Sequence, residues 1–265
     1  MTTQAGQLAS RFRIGTSGWS FLDWVGPFYP PGTTKREMFA SYVQAFRTVE
    51  VNYTYYRMPA ARTLDALARK SPPGFDFWVK ANQATTHRQD RNAAGPFIDA
   101  LAPLISMDKL AGVLLQFPQS FHRTIANRKF LAGTIADFCP VPVAVEFRHR
   151  SWQHQQVSDD LAERNVSLVI PDAPDIDLLY HHAPSATNGV GYLRLHSRIA
   201  GNWYEGGGDR YDYFYDQQEL RELAVQWREL LDRQAEKIYV FFNNCHRGQA
   251  AENALAFERI LQQIN

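Results

Sequence analysis

Val141-Pro142-Val143-Ala144-Val145-Glu146-Phe147-Arg148-His149 is the stretch from which the fold can be read. Its β-branched, alternating character predicts a strand. The two-residue period puts Glu146 and Arg148 on one face and Val145 and Phe147 on the other. Tyr192-Leu193-Arg194-Leu195-His196-Ser197-Arg198 repeats the design, with Arg194 and His196 opposite Leu193 and Leu195. A buried strand that ends in ionisable side chains must pair them or use them, because desolvating a lone charge is costly. Strand ends are therefore where function should be sought.

Working outward, eight such runs recur, at residues 11–16, 48–54, 75–81, 112–117, 141–147, 167–171, 191–196 and 237–243. Helical patterns lie between most of them, at residues 33–47, 60–70, 124–138, 157–165, 217–234 and 250–263. The first opens on Thr34 and Glu37, spaced as a capping box, and Asp216 with Glu219 predicts a second. Leu220, Leu223, Trp227, Leu230 and Leu231 then form one apolar stripe. Strand–helix alternation predicts a parallel sheet with helical crossovers. Eight units in this length predict a closed (β/α)8 barrel of the TIM type over residues 11–265, as one domain. Residues 1–10 are polar and predict a disordered tail. The long irregular stretch 197–212, with Gly201-Asn202-Trp203-Tyr204-Glu205-Gly206-Gly207-Gly208, reads as a mobile loop over the barrel.

Composition narrows the partners. The chain has 265 residues, 45% hydrophobic and 21% charged, with a formal charge of +1. That balance argues against a general polyanion binder, while leaving room for a local basic patch. Cys139 and Cys245 are far apart with no CxxC, which argues against a disulfide framework or zinc site and suits a reducing cytoplasm. No apolar stretch is long enough to span a membrane. Gly15-Thr16-Ser17-Gly18-Trp19 lacks the spacing of a dinucleotide-binding turn, and no GxSxG elbow is present.

Several blocks together resemble a known family. They are Gly15-Thr16-Ser17-Gly18-Trp19, Phe28-Tyr29-Pro30, Val49-Glu50-Val51-Asn52, Phe77-Trp78-Val79-Lys80, Gln116-Phe117-Pro118, Glu146-Phe147-Arg148-His149 with Ser151-Trp152, and Phe242-Asn243-Asn244. In this order they are similar to the YecE-like family, domain of unknown function seventy-two, from about Ile14 to Ala254. Two blocks depart from its pattern. Asn52-Tyr53-Thr54-Tyr55-Tyr56 stands where Asn-Ser-Thr-Phe-Tyr is common, and His196-Ser197-Arg198 where His-Gly-Arg is common. The resemblance implies a TIM barrel and supplies no reaction, so function must be argued from the site.

Active sites of such barrels lie at the C-terminal ends of the strands. The two-residue period aims Glu50, Asn52, Lys80, Asn82, Gln116, Glu146, Arg148, Asp172, Arg194, His196 and Asn243 at that mouth. A barrel needing only stability would fill this layer with Val, Ile and Leu, although Glu146–Arg148 or Glu50–Arg194 could be structural ion pairs. Glu146 is the candidate general acid or base and His196 the candidate proton shuttle, with Asp172 a further carboxylate. Lys80 is either an anion contact or, if desolvated, a Schiff-base nucleophile. Glu50, Asn52, Asn82, Gln116, Arg148, Arg194 and Asn243 are candidate substrate contacts. Trp19 and Trp203 are candidate stacking surfaces. Lys80, Arg148, Arg194, Arg198 and Arg210 outnumber Glu50, Glu146 and Asp172, which predicts an anionic ligand. No cofactor is expected. A divalent metal on Glu146, His149, Asp172 and His196 is a weaker alternative, lacking any helical HExxH spacing.

These residues favour an enzyme of the hydrolase, lyase or isomerase type, using acid–base chemistry on a small phosphate- or carboxylate-bearing substrate. The alternatives are a nucleic-acid-binding or nuclease-like barrel, using the basic and aromatic mouth, and a non-catalytic ligand-binding protein. Nothing in the sequence fixes the oligomeric state.

Overall fold

All eight expected strands are present in a computed structural model that describes residues 11–201, Trp203 and residues 209–264. They are β1 (Phe12–Thr16), β2 (Thr48–Val51), β3 (Asp76–Lys80), β4 (Leu110–Gln116), β5 (Val143–Glu146), β6 (Ser167–Asp172), β7 (Val190–Leu195) and β8 (Lys237–Phe242). Every paired neighbour is parallel, in the order β1-β8-β7-β6-β5-β4-β3-β2. This is the (β/α)8 barrel that the alternation predicted. The expected tail at residues 1–10, and Asn202 and residues 204–208 of the expected loop, lie outside the described residues.

The helices are α1 (Met38–Ala45), α2 (Ala61–Lys70), α3 (Gln83–Thr86), α4 (Ala94–Ser106), α5 (Ile125–Asp137), α6 (Gln155–Glu163), α7 (Gln217–Arg233) and α8 (Gln249–Gln263). The Asp216–Glu219 capping box forms at α7, with both reciprocal bonds, at 2.9 and 3.0 Å. Helices α1 and α4 depart from expectation, while the lack of a helix between β6 and β7 agrees with the sequence reading. Helix α1 starts at Met38, because Glu37 folds back onto the Thr34 N–H and hydroxyl, at 2.9 and 2.7 Å, and closes a turn ahead of the helix. Helix α4 has no counterpart in the sequence reading, since Gly95, Pro96 and Pro103 look like breakers. Pro96 falls in the first turn, where its missing N–H costs nothing. Between β6 and β7, residues 173–189 cross over without a helix in a segment containing Pro174 and Pro184.

The two ends of the strand order meet at β1 and β2, and a side chain joins them. Tyr42 of α1 is fully buried; its hydroxyl accepts from the Thr16 N–H and donates to the Thr48 carbonyl, both at 3.0 Å. The strands run so close that a Cβ on Gly15 would lie 2.4 Å from the Thr48 carbonyl oxygen, so only glycine fits.

Outward-facing residues such as Val49, Val79, Val113 and Leu115 pack under the helices in the main core. Inside the barrel, Trp78, Leu114, Val169, Tyr192, Tyr239 and Phe241 form a second, smaller core. It plugs the lumen. The polar layer above it therefore rests on a dry floor and opens only toward the C-terminal mouth.

Candidate functional site

Arg194 is the centre of the polar layer. It stands on β7 two residues above Tyr192, and both point into the lumen. Its guanidinium grips Glu50 from Nε and Nη2, at 2.8 and 2.6 Å, and Glu146 from Nη1 at 2.5 Å. All three side chains are buried, at 0–1% exposure. Ser17, Asn52 and Tyr192 also donate to Glu50, at 2.8, 2.8 and 2.7 Å. Five donors thus meet a group with about four lone-pair sites, which leaves Glu50 no capacity for a substrate proton. Burial alone would push its carboxyl up. The Arg194 charge and the Arg194, Tyr192 and Ser17 hydrogen bonds outweigh that and hold it below the usual carboxylate range.

Glu146 is the second anchor. Its Oε2 is taken by Arg194, while Oε1 lies 2.6 Å from Arg148 Nε as an ion pair and receives no aligned hydrogen bond. It is the carboxylate oxygen with accepting capacity left. Burial opposes its ionisation, but the Arg148 and Arg194 charges win and set it well below the usual carboxylate range. A carboxylate held so firmly ionised is a weak base.

His196, also fully buried, sits 3.7 Å from Glu146 Oε1, too far for a direct hydrogen bond. Arg148 Nη2, a donor, lies 3.2 Å from Nε2, which must therefore accept. With Nε2 accepting, the ring proton sits on Nδ1, which the Asn243 amide faces at 2.8 Å through the atom placed as Nδ2; turning that amide by 180° lets its oxygen accept the proton. Burial and the neighbouring Arg148 charge hold His196 well below the usual histidine value, so it is neutral. The pair acts as a bracket that aims Arg148.

Above this network lies a cleft of about 640 Å³. Lys80, Arg148, Arg194 and Arg210 line it, with Gln116, Asn52 and Asn243, and among the described residues no carboxylate does. Trp19, Phe21, Tyr53, Tyr55, Trp203 and Tyr211 form the walls. Trp203 is brought in from the long loop and lies over Arg148, 5.6 Å from the guanidinium carbon to the ring centre. Lys80 Nζ stands 4.5 Å from the centre of the Tyr55 ring. Because Glu50 and Glu146 are engaged by Arg194 and Arg148, Lys80 is left without a carboxylate partner among the described residues. Desolvation above all, and the Arg194 charge next, lower it to about 7, against partial support from Glu146 and Glu50. His87 meets the Tyr55 ring edge-on and is lowered to about 4, chiefly by burial and then by Lys80.

The structure thus gathers most of the expected residues, in two tiers. Lys80, Gln116, Asn52, Arg148, Arg194, Asn243, Trp19 and Trp203 face the cleft. Glu50, Glu146 and His196 are packed beneath it. Two residues go elsewhere. Asp172 is clamped by Arg198 and by the Tyr215 hydroxyl, the latter at 2.7 Å, so Arg198 is spent outside the cleft as well. Asn82 caps α3 by accepting from the Ala84 N–H at 3.0 Å and donates to the Thr54 carbonyl. No group of three or more His, Cys, Asp or Glu suited to a metal gathers among the described residues, so Glu146, His149, Asp172 and His196 do not form the alternative set. Tyr192, His87 and Tyr211 were missed as site residues. For Tyr192 the signal was present, since it shares the inward face with Arg194 and His196.

A TIM barrel with a buried ion-pair layer beneath a cationic, aromatic cleft is the class that fold and site define. The chain belongs to the family described as protein of unknown function DUF72, whose model matches residues 13–265, which bears out the resemblance read from the sequence. It is 30% identical over 263 residues to the UPF0759 protein YunF of Bacillus subtilis, covering 91% of each chain. Among solved structures it is similar to a DUF72 family protein (TM1631) from Thermotoga maritima, with TM-score 0.87, 36% identity, and 94% of this chain and 98% of that one covered. A DUF72 family protein (EF0366) from Enterococcus faecalis matches with TM-score 0.85 and 28% identity, over 94% and 95% of the two chains.

Proposed function

We propose that the cleft binds a small anionic molecule carrying phosphate or carboxylate and performs acid–base chemistry on it. The observation that carries this reading is the sign of the lining. Four cationic side chains face the cleft, and the two central carboxylates lie beneath it with their charge already answered. An anion entering there replaces water around Lys80 and Arg148 and meets no like charge. The aromatic walls suit a planar or apolar body on the same molecule.

Within this reading the roles divide by capacity. Arg148, held by Glu146 and His196, supplies a fixed fork for the anion. Lys80, lowered to about 7, is the group able both to give and to take a proton near neutrality. Glu50 and Arg194 position the others and exchange no proton.

A thermal-shift screen tests the proposal, pairing phosphate- and carboxylate-bearing metabolites with neutral analogues at low salt. The anionic members should raise the melting temperature and the neutral ones should not, with the rise lost in Arg148→Ala. No shift with any anion would remove the reading. Steeply salt-dependent binding of a short single-stranded oligonucleotide, lost in the same variant, would replace it with the nucleic-acid alternative.

A further inference from the structure

We infer that Lys80 condenses with the carbonyl of an anionic aldehyde or ketone, so that the cleft works through a lysine Schiff base. This rests on the anion-binding reading above and narrows its substrate to an oxo compound.

The geometry singles out one amine. The chain has six lysines. Lys35, Lys70 and Lys129 are exposed on the surface. Lys109 shows how a structural lysine is held here, with three acceptors at 2.7 Å from Nζ: the Ala68 and Ser71 carbonyls and the Ser71 hydroxyl. Lys237 lies near Asp76 at the opposite end of the barrel, 3.8 Å away. Lys80 alone stands on the floor of the cleft. Among the described residues Nζ has no carboxylate within ion-pair distance, only the face of Tyr55. The carboxylates that would hold it protonated are engaged by Arg148 and Arg194, and those two cations press it to release its proton. The other cleft cations are arginines, which do not deprotonate. An amine that is desolvated, unpaired and crowded by positive charge is the arrangement that activates a lysine nucleophile.

The step balances without a co-reactant. The neutral Nζ lone pair forms the C–N bond as the carbonyl π pair moves to oxygen. One proton passes from nitrogen to that oxygen to give a carbinolamine. A second proton, taken from solvent, lets the oxygen leave as water while the nitrogen lone pair closes C=N. The iminium keeps one N–H and one positive charge, the charge of protonated lysine and one more than that of the neutral amine that attacked. Arg148 is placed to hold the anionic end of the same molecule.

The experiment is borohydride reduction of the wild-type protein with glyoxylate, and separately with pyridoxal 5′-phosphate as an anionic aromatic aldehyde, followed by peptide mapping. The expected result is reduced adduct on Lys80 at least tenfold above Lys35, Lys70 and Lys129, and its disappearance in Lys80→Met. Adduct spread evenly over the exposed lysines, or none, overturns the inference even where the variant fails to fold, because the mapping is done on wild type. Sulfate binding measured on the same preparation separates the two readings. Sulfate bound without a Lys80 adduct removes the Schiff base and leaves the anion site standing. A Lys80 adduct that saturating sulfate does not suppress keeps the lysine chemistry and removes the anion site.

Discussion

At the scale of single residues, Glu146, read from the sequence as the general acid or base, and Glu50, read as a substrate contact, are both held by arginines beneath the cleft. Glu50 has five donors and Glu146 two arginines, whereas Lys80 has none of these ties. Two outcomes follow. Glu50→Gln leaves the Arg194 charge short of a partner in a dry site and should destabilise the protein by about 3–5 kcal/mol in urea unfolding, as breaking a buried pair does. Both carboxyls are lowered in the folded state, so their stabilisation is present above the unfolded carboxylate value and drains away as pH falls below about 4. Lys80 acts in the same direction in an alkaline window. Unfolded, it keeps its proton up to about pH 10.4, but folded it sheds it near 7. Between those values the unfolded chain binds the extra proton, so this group makes stability rise with pH. Competitive acylation across pH, read by peptide mass, should place the Lys80 midpoint near 7. A Lys80 midpoint above 9 would refute the assignment. The charged members of the site were legible because period two puts them on one face. Their division into two tiers was not, because it depends on which arginine reaches which carboxylate across the lumen.

Among the elements, the eight strands were legible because each alternates and ends at a turn. Helix α4 was hidden by Gly95, by Pro96, which its first turn tolerates, and by Pro103, which lies inside it. Nor does the sequence announce that Tyr42, an aromatic in an amphipathic helix, hydrogen-bonds across the β1–β2 seam. Tyr42→Phe keeps the ring and deletes the bridge, leaving the buried Thr16 N–H without its partner. It should cost about 1–3 kcal/mol in denaturant unfolding, and a neutral result would mean that the hydroxyl does not hold the seam. Gly15→Ala should also destabilise, by roughly the 1–3 kcal/mol of an overpacked core site, since its Cβ would strike the Thr48 carbonyl.

For the molecule as a whole, the plugged lumen leaves the C-terminal mouth as the open end of the barrel. The near-neutral chain gathers Lys80, Arg148, Arg194 and Arg210 there, in one concave place whose described lining carries no carboxylate. Ligand bound there stabilises the fold by mass action, so the melting temperature should climb with anion concentration. The most direct test is calorimetric titration of sulfate, whose charge is constant from pH 6 to 8, at low ionic strength. The account predicts one site per chain. Affinity should weaken as pH rises through 7, because Lys80 loses its charge between Arg194, Arg148, Glu146 and Glu50 while His87 and His196 stay neutral. Arg148→Ala should lower that affinity at least tenfold. No measurable sulfate binding, or binding indifferent to both pH and Arg148→Ala, would contradict it.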